Sequence, residues 1–187
     1  MASKLEPLLT IADLEAMPDD DGNRYELIEG ELFVSCAPGL THQRALGNLL
    51  FLIRKYLELN PIGEALFTPG LILSNITGVI PDIVFMTNAR RDQIATGERV
   101  ISAPDIVVEV VSSGSQNRSR DRVIKRQLYA KYEVPEYWIV DPQQRTMEVF
   151  RLKDKALELV VTLTVGDQIS SPLLPGFDCA VAELFNP

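Results

Sequence analysis

The segment Ile106-Val107-Val108-Glu109-Val110-Val111 places an ionisable carboxylate inside a β-branched run. Pro104 bounds it on one side and Ser112-Ser113-Gly114 on the other, so it reads as a strand buried on both faces. A buried ionised group is costly unless it is paired or holds a metal. An acid inside such a run therefore needs an explanation.

At 187 residues the chain is long enough for one well-filled core and short for two, which predicts a single domain over 1–187. No apolar run approaches the roughly 18 residues that a membrane helix needs. The N-terminal stretch MASKLEPLLTIADLEAMPDDDG mixes acids into its apolar positions and lacks the basic flank and continuous apolar segment of a signal peptide. These features predict a cytoplasmic protein with no membrane partner. Cys36 and Cys179 are far apart and have no ligand residues near them in sequence, so both are expected as reduced, semi-buried thiols.

The net charge of -8 argues against broad adhesion to DNA or anionic lipid, which draws on a positive surface field. One segment departs from this average. Arg118, Arg120, Arg122, Lys125, Arg126 and Lys131 crowd together just after the buried glutamate. They suit either a phosphate-bearing ligand held at one place or a solvated helix face.

Along the chain, Thr10 is placed to cap a short helix over residues 10–17, and Asp19 to Asn23 form a turn. Two apolar runs flank Glu29-Gly30 and predict a β-hairpin. From Thr41, a possible cap, Ala45, Leu46, Leu49, Leu50, Ile53, Tyr56 and Leu57 recur near a 3.6 period until Asn60-Pro61, the pattern of an amphipathic helix. The one histidine, His42, falls in its first turn. Residues 65–67, 71–73 and 78–86 read as successive strands, and 88–97 as a loop or short helix. Helical spacing returns from Ser119 to Glu133, with Val134-Pro135 as the stop. Residues 136–140 form a strand, 146–152 and 157–165 a second hairpin, and the tail ends in a short amphipathic turn. Trp138 and Tyr137 are expected in the core. The order predicts an α+β fold around one mixed sheet.

Two strands carry the same tetrapeptide, Pro81-Asp82-Ile83-Val84 and Pro104-Asp105-Ile106-Val107. Asp105 and Glu109 share a strand face but stand four residues apart, roughly 13 Å, too far to share one ion readily. Asp82 can approach Glu109 across strands at about 5 Å if the register allows. Asp82 is therefore assigned to the site and Asp105 to the strand's entry turn. Paired carboxylates form a hard-oxygen site suited to Mg²⁺ or Mn²⁺, which can lower the pKa of a bound water. Lys125 and Tyr129, at i and i+4, share one helix face and would lean over the sheet. Lys125 would orient the nucleophile or stabilise developing charge at phosphorus, and Tyr129 would fix substrate or the lysine by a hydrogen bond.

The chain resembles the Uma-two family of restriction endonuclease-like proteins, within the PD-(D/E)XK nuclease superfamily. The likeness rests on Tyr25 to Leu32, His42-Gln43-Arg44, Ile80 to Phe85, Ala103 to Ser112 and Val134 to Pro142. It implies a restriction endonuclease-like core, a mixed β-sheet flanked by helices, with added N- and C-terminal β-hairpins. It further implies Asp82 as the motif aspartate and Glu109 as the start of the E-X-K motif. The superfamily lysine would stand at position 111, which is Val111 here, and Lys125 matches the relocated lysine of this family. Its spacing to Tyr129 resembles a Q-X-X-X-Y element of related nucleases. The family's Ser-Pro-Ser-Thr loop corresponds to Ser112-Ser113-Gly114-Ser115. Glu26 and His42 match recurrent family positions near the cleft.

Three functions follow for comparison. The first is a Mg²⁺- or Mn²⁺-dependent DNA endonuclease, with Asp82 and Glu109 holding the metal, Lys125 catalytic, and Tyr129, Glu26 and His42 positioning substrate. A homodimer would supply two sites for two strands. The second is a non-catalytic module that binds nucleic acid or protein on a retained nuclease scaffold. The third is a hydrolase of small phosphate esters.

Overall fold

In the computed structural model, which describes residues 7–18, 21–112 and 120–186, Thr10 caps helix α1 (Ile11–Glu15) through reciprocal bonds with Asp13. Strands β1 (Asn23–Ile28) and β2 (Glu31–Cys36) then pair antiparallel, from Asn23 opposite Cys36 to Ile28 opposite Glu31. Glu29 and Gly30 between them have φ of 53° and 83°, the left-handed pair that a two-residue hairpin turn demands. Helix α2 (Leu40–Leu59) buries Ala45, Leu46, Leu49 and Ile53, the stripe expected from the spacing. Its cap is Gly39, and Thr41 lies inside the first turn.

Strands β3 (Gly63–Phe67), β4 (Leu71–Ser74) and β5 (Thr77–Val79) follow. The predicted strand 78–86 is broken, and β6 (Ile83–Thr87) belongs to a different sheet from β5. The cause is Pro81, which has no N–H to donate into a ladder. Beyond β6 come α3 (Asn88–Ile94), β7 (Ala95–Thr96), β8 (Arg99–Val100) and β9 (Ile106–Val110). Of the predicted loop after β9, Ser113, Gly114 and Ser115 lie outside the described residues, as does Arg118. A π-helical turn, Arg120–Lys125, runs into α4 (Arg126–Lys131), where the spacing predicts one uninterrupted helix. The rest is β10 (Glu136–Asp141), β11 (Thr146–Lys153), β12 (Ala156–Thr164), β13 (Gln168–Ser171), β14 (Leu174–Ala180) and a 3₁₀ turn, Val181–Phe185.

Among the described residues the strands form two six-stranded sheets and a two-stranded one, in place of the single mixed sheet expected. The first runs β2-β1-β5-β4-β8-β7 and the second β12-β11-β10-β9-β6-β3. Within the second, β9 and β10 are parallel and the other neighbours antiparallel. This is an α+β architecture with hairpins at both ends.

Because side chains alternate along a strand, β6, β9 and β10 serve two cores. Ile83, Phe85, Ile106, Val108, Val110 and Trp138 pack with the α2 stripe. Val84, Met86, Val107, Tyr137 and Ile139 pack with Leu128 and Tyr129 of α4. Glu109, in step with Val107 and Val111, thereby faces α4. Trp138 and Tyr137 are fully buried, as expected. The thiols are not alike: Cys36 ends β2 in the open, and Cys179 is buried in the core beside α2. Among the described residues no helix is long and apolar enough to cross a membrane.

Candidate active site

Strand β6 stops at Ile83, opposite Val108, so the N–H of Val110 that points toward β6 has no strand to pair with. Asp82 fills that place. Its Oδ2 accepts the Val110 N–H at 2.7 Å and lies 3.1 Å from His42 Nε2. The Asp82 backbone oxygen accepts from the Thr68 N–H at 2.9 Å, which fixes the residue from the other side. One step beyond Ile83 and Val108, the same register sets Asp82 opposite Glu109. His42, brought in by the first turn of α2, is buried, and its Nδ1 has no hydrogen-bond partner among the described residues.

Glu109 meets α4 from the sheet. Lys125 Nζ and Tyr129 Oη each donate to Glu109 Oε1 at 2.8 Å, so the i, i+4 pair leans over the sheet together. Lys125 also lies 2.9 Å from Oε1 of Glu26, which accepts the Ile80 N–H at 2.9 Å. Glu26 comes from the first sheet, and the Ile80–Asp82 passage between sheets joins it to Asp82. Lys125 is 2% exposed and Glu109 4%, so the counter-charge demanded by the buried run is this ammonium.

From Arg122 onward the cations of the basic segment have partners within the chain. Arg122 pairs with Asp141 and Glu148 and pins the π-helical turn to the ends of β10 and β11. Arg126 lies over the Phe150 ring at 5.3 Å, and Lys131 pairs with Glu29 at 2.5 Å. π-helical turns recur where a helix must redirect a side chain, and this one ends at Lys125.

Glu26, His42, Asp82, Glu109 and Lys125 line one cavity of ≈ 330 Å³, walled on its outer side by Cys36 to Gly39. Tyr129, fully buried, is not part of that lining and bonds Glu109 rather than the lysine. Asp105 stands apart, accepting the Thr87 N–H at 2.7 Å in the entry turn to which it was assigned.

Burial pushes the Asp82 carboxyl up, but the His42 ring, the Val110 N–H and the Lys125 ammonium together outweigh it and hold the group below the usual aspartate range. Burial, and then the Glu109 carboxylate, push the Tyr129 phenol well above its ordinary value, so it stays a proton donor to Glu109.

Arg24 is the residue that sequence reasoning passes over. Its Nη2 donates to the Ile80 oxygen at 2.9 Å, and its Nη1 stands 3.6 Å from Asp82 Oδ1. The available signal was spacing: Arg24 and Glu26 are two apart on one strand and share a face.

Among the described residues there is no group of three or more His, Cys, Asp or Glu side chains set to hold a metal ion. The donor chemistry nonetheless fits a hard cation. Glu26, Asp82 and Glu109 present carboxylates to one cavity, the oxygen set that Mg²⁺ and Mn²⁺ prefer over soft metals.

The α+β core has the restriction endonuclease-like fold, and the buried carboxylates and lysine lie where its two sheets meet. The chain belongs to the Uma2 family, described as a putative restriction endonuclease, which it matches over residues 11–182. Among solved structures it is similar to a putative nuclease belonging to DUF820 from Anabaena variabilis ATCC 29413, with TM-score 0.74 and 19% identity over 95% of this chain and 97% of that one. It also matches the type IIG restriction endonuclease BpuSI, with TM-score 0.44 and 15% identity over 77% of this chain but 15% of that one, too loose a superposition to bear on the fold. No curated protein matches the chain.

Proposed function

We propose that the protein is a divalent-metal-dependent DNA endonuclease, with Asp82 and Glu109 holding Mg²⁺ or Mn²⁺ and Lys125 catalytic. The observation that carries this reading is the convergence of Asp82, Glu109 and Lys125 on one cavity. A bound divalent ion would polarise the phosphodiester and supply a water of lowered pKa. The chain's own residues do the rest. His42 and the Val110 N–H hold Asp82 ionised and fixed in orientation. Glu26 and Glu109 hold the Lys125 ammonium at the cavity, where it would stabilise negative charge developing on the phosphoryl oxygens. Tyr129 acts through Glu109, as a positioning residue. Cutting both strands would take a second copy of the chain.

Supercoiled plasmid incubated with the purified protein and Mg²⁺ or Mn²⁺ tests the reading. Nicking that disappears in Asp82→Ala and Glu109→Ala is expected. Absent nicking, or nicking indifferent to both substitutions, rejects it.

One observation favours a second reading, a binding module on a retained scaffold: the Lys125 ammonium itself stands between Glu26 and Glu109 and pairs with both. That reading requires calorimetry to find no Mg²⁺ or Mn²⁺ uptake while a nucleic acid or protein still binds.

A further inference from the structure

We propose that a second cavity, on the far side of Arg24 from the carboxylates, is a subsite for an unstacked nucleobase carried on the phosphodiester strand. The inference rests on the phosphodiesterase reading and deepens it. The cavity measures ≈ 370 Å³, within the range of about 300–1,000 Å³ typical of small-molecule sites. Leu71 and Val79, both buried, contribute to its lining, as do Ile11 and Leu14 of α1.

Its outer wall packs over a glycine. A Cβ at Gly78 would meet the side-chain tips Ile11 Cδ1 at 2.7 Å and Leu14 Cδ2 at 3.1 Å, so glycine there leaves these two residues of α1 room over β5. Tyr25 is the one aromatic residue of the lining, and Arg24 and the Arg99–Glu15 ion pair add polar groups. A site for an alkyl chain would have no use for these polar groups. A base has a flat apolar face and a polar edge, which this mixture matches.

Position supplies the second argument. Arg24 and Ile80 line both this cavity and the carboxylate cavity, so the two are separated by single residues. The Arg24 guanidinium, beside Asp82 Oδ1 and bonded to the Ile80 oxygen, marks where a phosphate would pass from one to the other. A strand with its phosphate at Asp82 and Glu109 would then place an adjoining base beyond Arg24.

The test is fluorescence anisotropy on the full chain, with Ca²⁺ replacing Mg²⁺. The two probes are labelled decathymidylate and a decamer of the same backbone in which every base is absent. The intact strand is expected to bind about tenfold more tightly, the lower range for one base stacked on an aromatic site. Met17→Trp, which puts an indole in the lining, is expected to erase that advantage and leave the baseless strand's affinity unchanged. Gly70→Leu is the companion variant, since an added Cβ there meets only Arg99 Cγ at an ordinary 3.7 Å. Equal affinity of the two probes, or an advantage that survives both variants, overturns the subsite. If plasmid nicking that depends on Asp82 persists in that case, the subsite falls alone. If neither probe binds and no nicking occurs, both proposals fall.

Discussion

The backbone N–H of Val110 donates to Asp82 Oδ2 at 2.7 Å, so the end of β9 and the carboxylate beside it are held by the same bond. Asparagine at 82 keeps an acceptor for that N–H and loses the charge; alanine loses both. Asp82→Asn and Asp82→Ala should therefore abolish nicking alike, yet differ in stability. The alanine variant should be less stable by about 1–3 kcal/mol, the cost of leaving a buried donor unsatisfied. Urea unfolding of both variants measures the gap, and equal midpoints would contradict this role for the bond.

The same carboxylate predicts a pH dependence. Its folded pKa lies below the ordinary value of about 3.9. With the folded value lowered, the stability it contributes is fully present above the unfolded pKa and is lost as pH falls through the folded one. Urea midpoints of the EDTA-treated protein should thus decline below about pH 4, more steeply in the wild type than in Asp82→Asn. Parallel curves would show that Asp82 is not the group responsible.

What could be read from the chain, and what could not, divides along sequence distance. The Glu109 anomaly, the α2 stripe and the Lys125–Tyr129 face are local patterns with a fixed period, and each is found in the structure. The Asp82–Glu109 approach was open to reasoning because two strands with one repeated tetrapeptide invite a register. Glu26 as a partner of Lys125 was not, since it depends on β1 joining β5 through a single pair, Leu27 opposite Gly78. Nor was the break at Pro81, without which β5 and β6 read as one strand and two sheets as one. The π-helical turn leaves no periodic trace, because the sequence keeps helical spacing through it into α4.

Lys125 stands between Glu26 and Glu109 at 2.9 and 2.8 Å, all three buried. Lys125→Met keeps much of the volume and removes the charge, leaving two carboxylates facing a cavity with no ammonium. Breaking a buried pair in this way costs about 3–5 kcal/mol. A divalent cation bound to the same acids would restore part of it, so Mg²⁺ should raise the melting temperature of the variant more than that of the wild type. Thermal unfolding in EDTA and in Mg²⁺ decides the matter; an equal response of the two proteins would remove the support for metal binding at these acids.

The two thiols offer a probe of the carboxylate cavity that needs no change to its acids. Cys36 is exposed and lines the cavity, whereas Cys179 is buried and its thiol is pushed up to about 12, chiefly by burial. Reaction with a bulky maleimide runs through the thiolate, so near neutral pH the label should go to Cys36 alone. Mass spectrometry should find one adduct, on the peptide that contains Cys36. Because that adduct would stand at the cavity wall formed with Ala37, Pro38 and Gly39, it should block entry of a phosphodiester to Asp82 and Glu109. Nicking should fall at least about tenfold, equivalent to ~1.4 kcal/mol in the barrier. Cys36→Ser should retain activity and resist the reagent. Full activity after complete labelling of Cys36 would place the reacting strand elsewhere on the molecule.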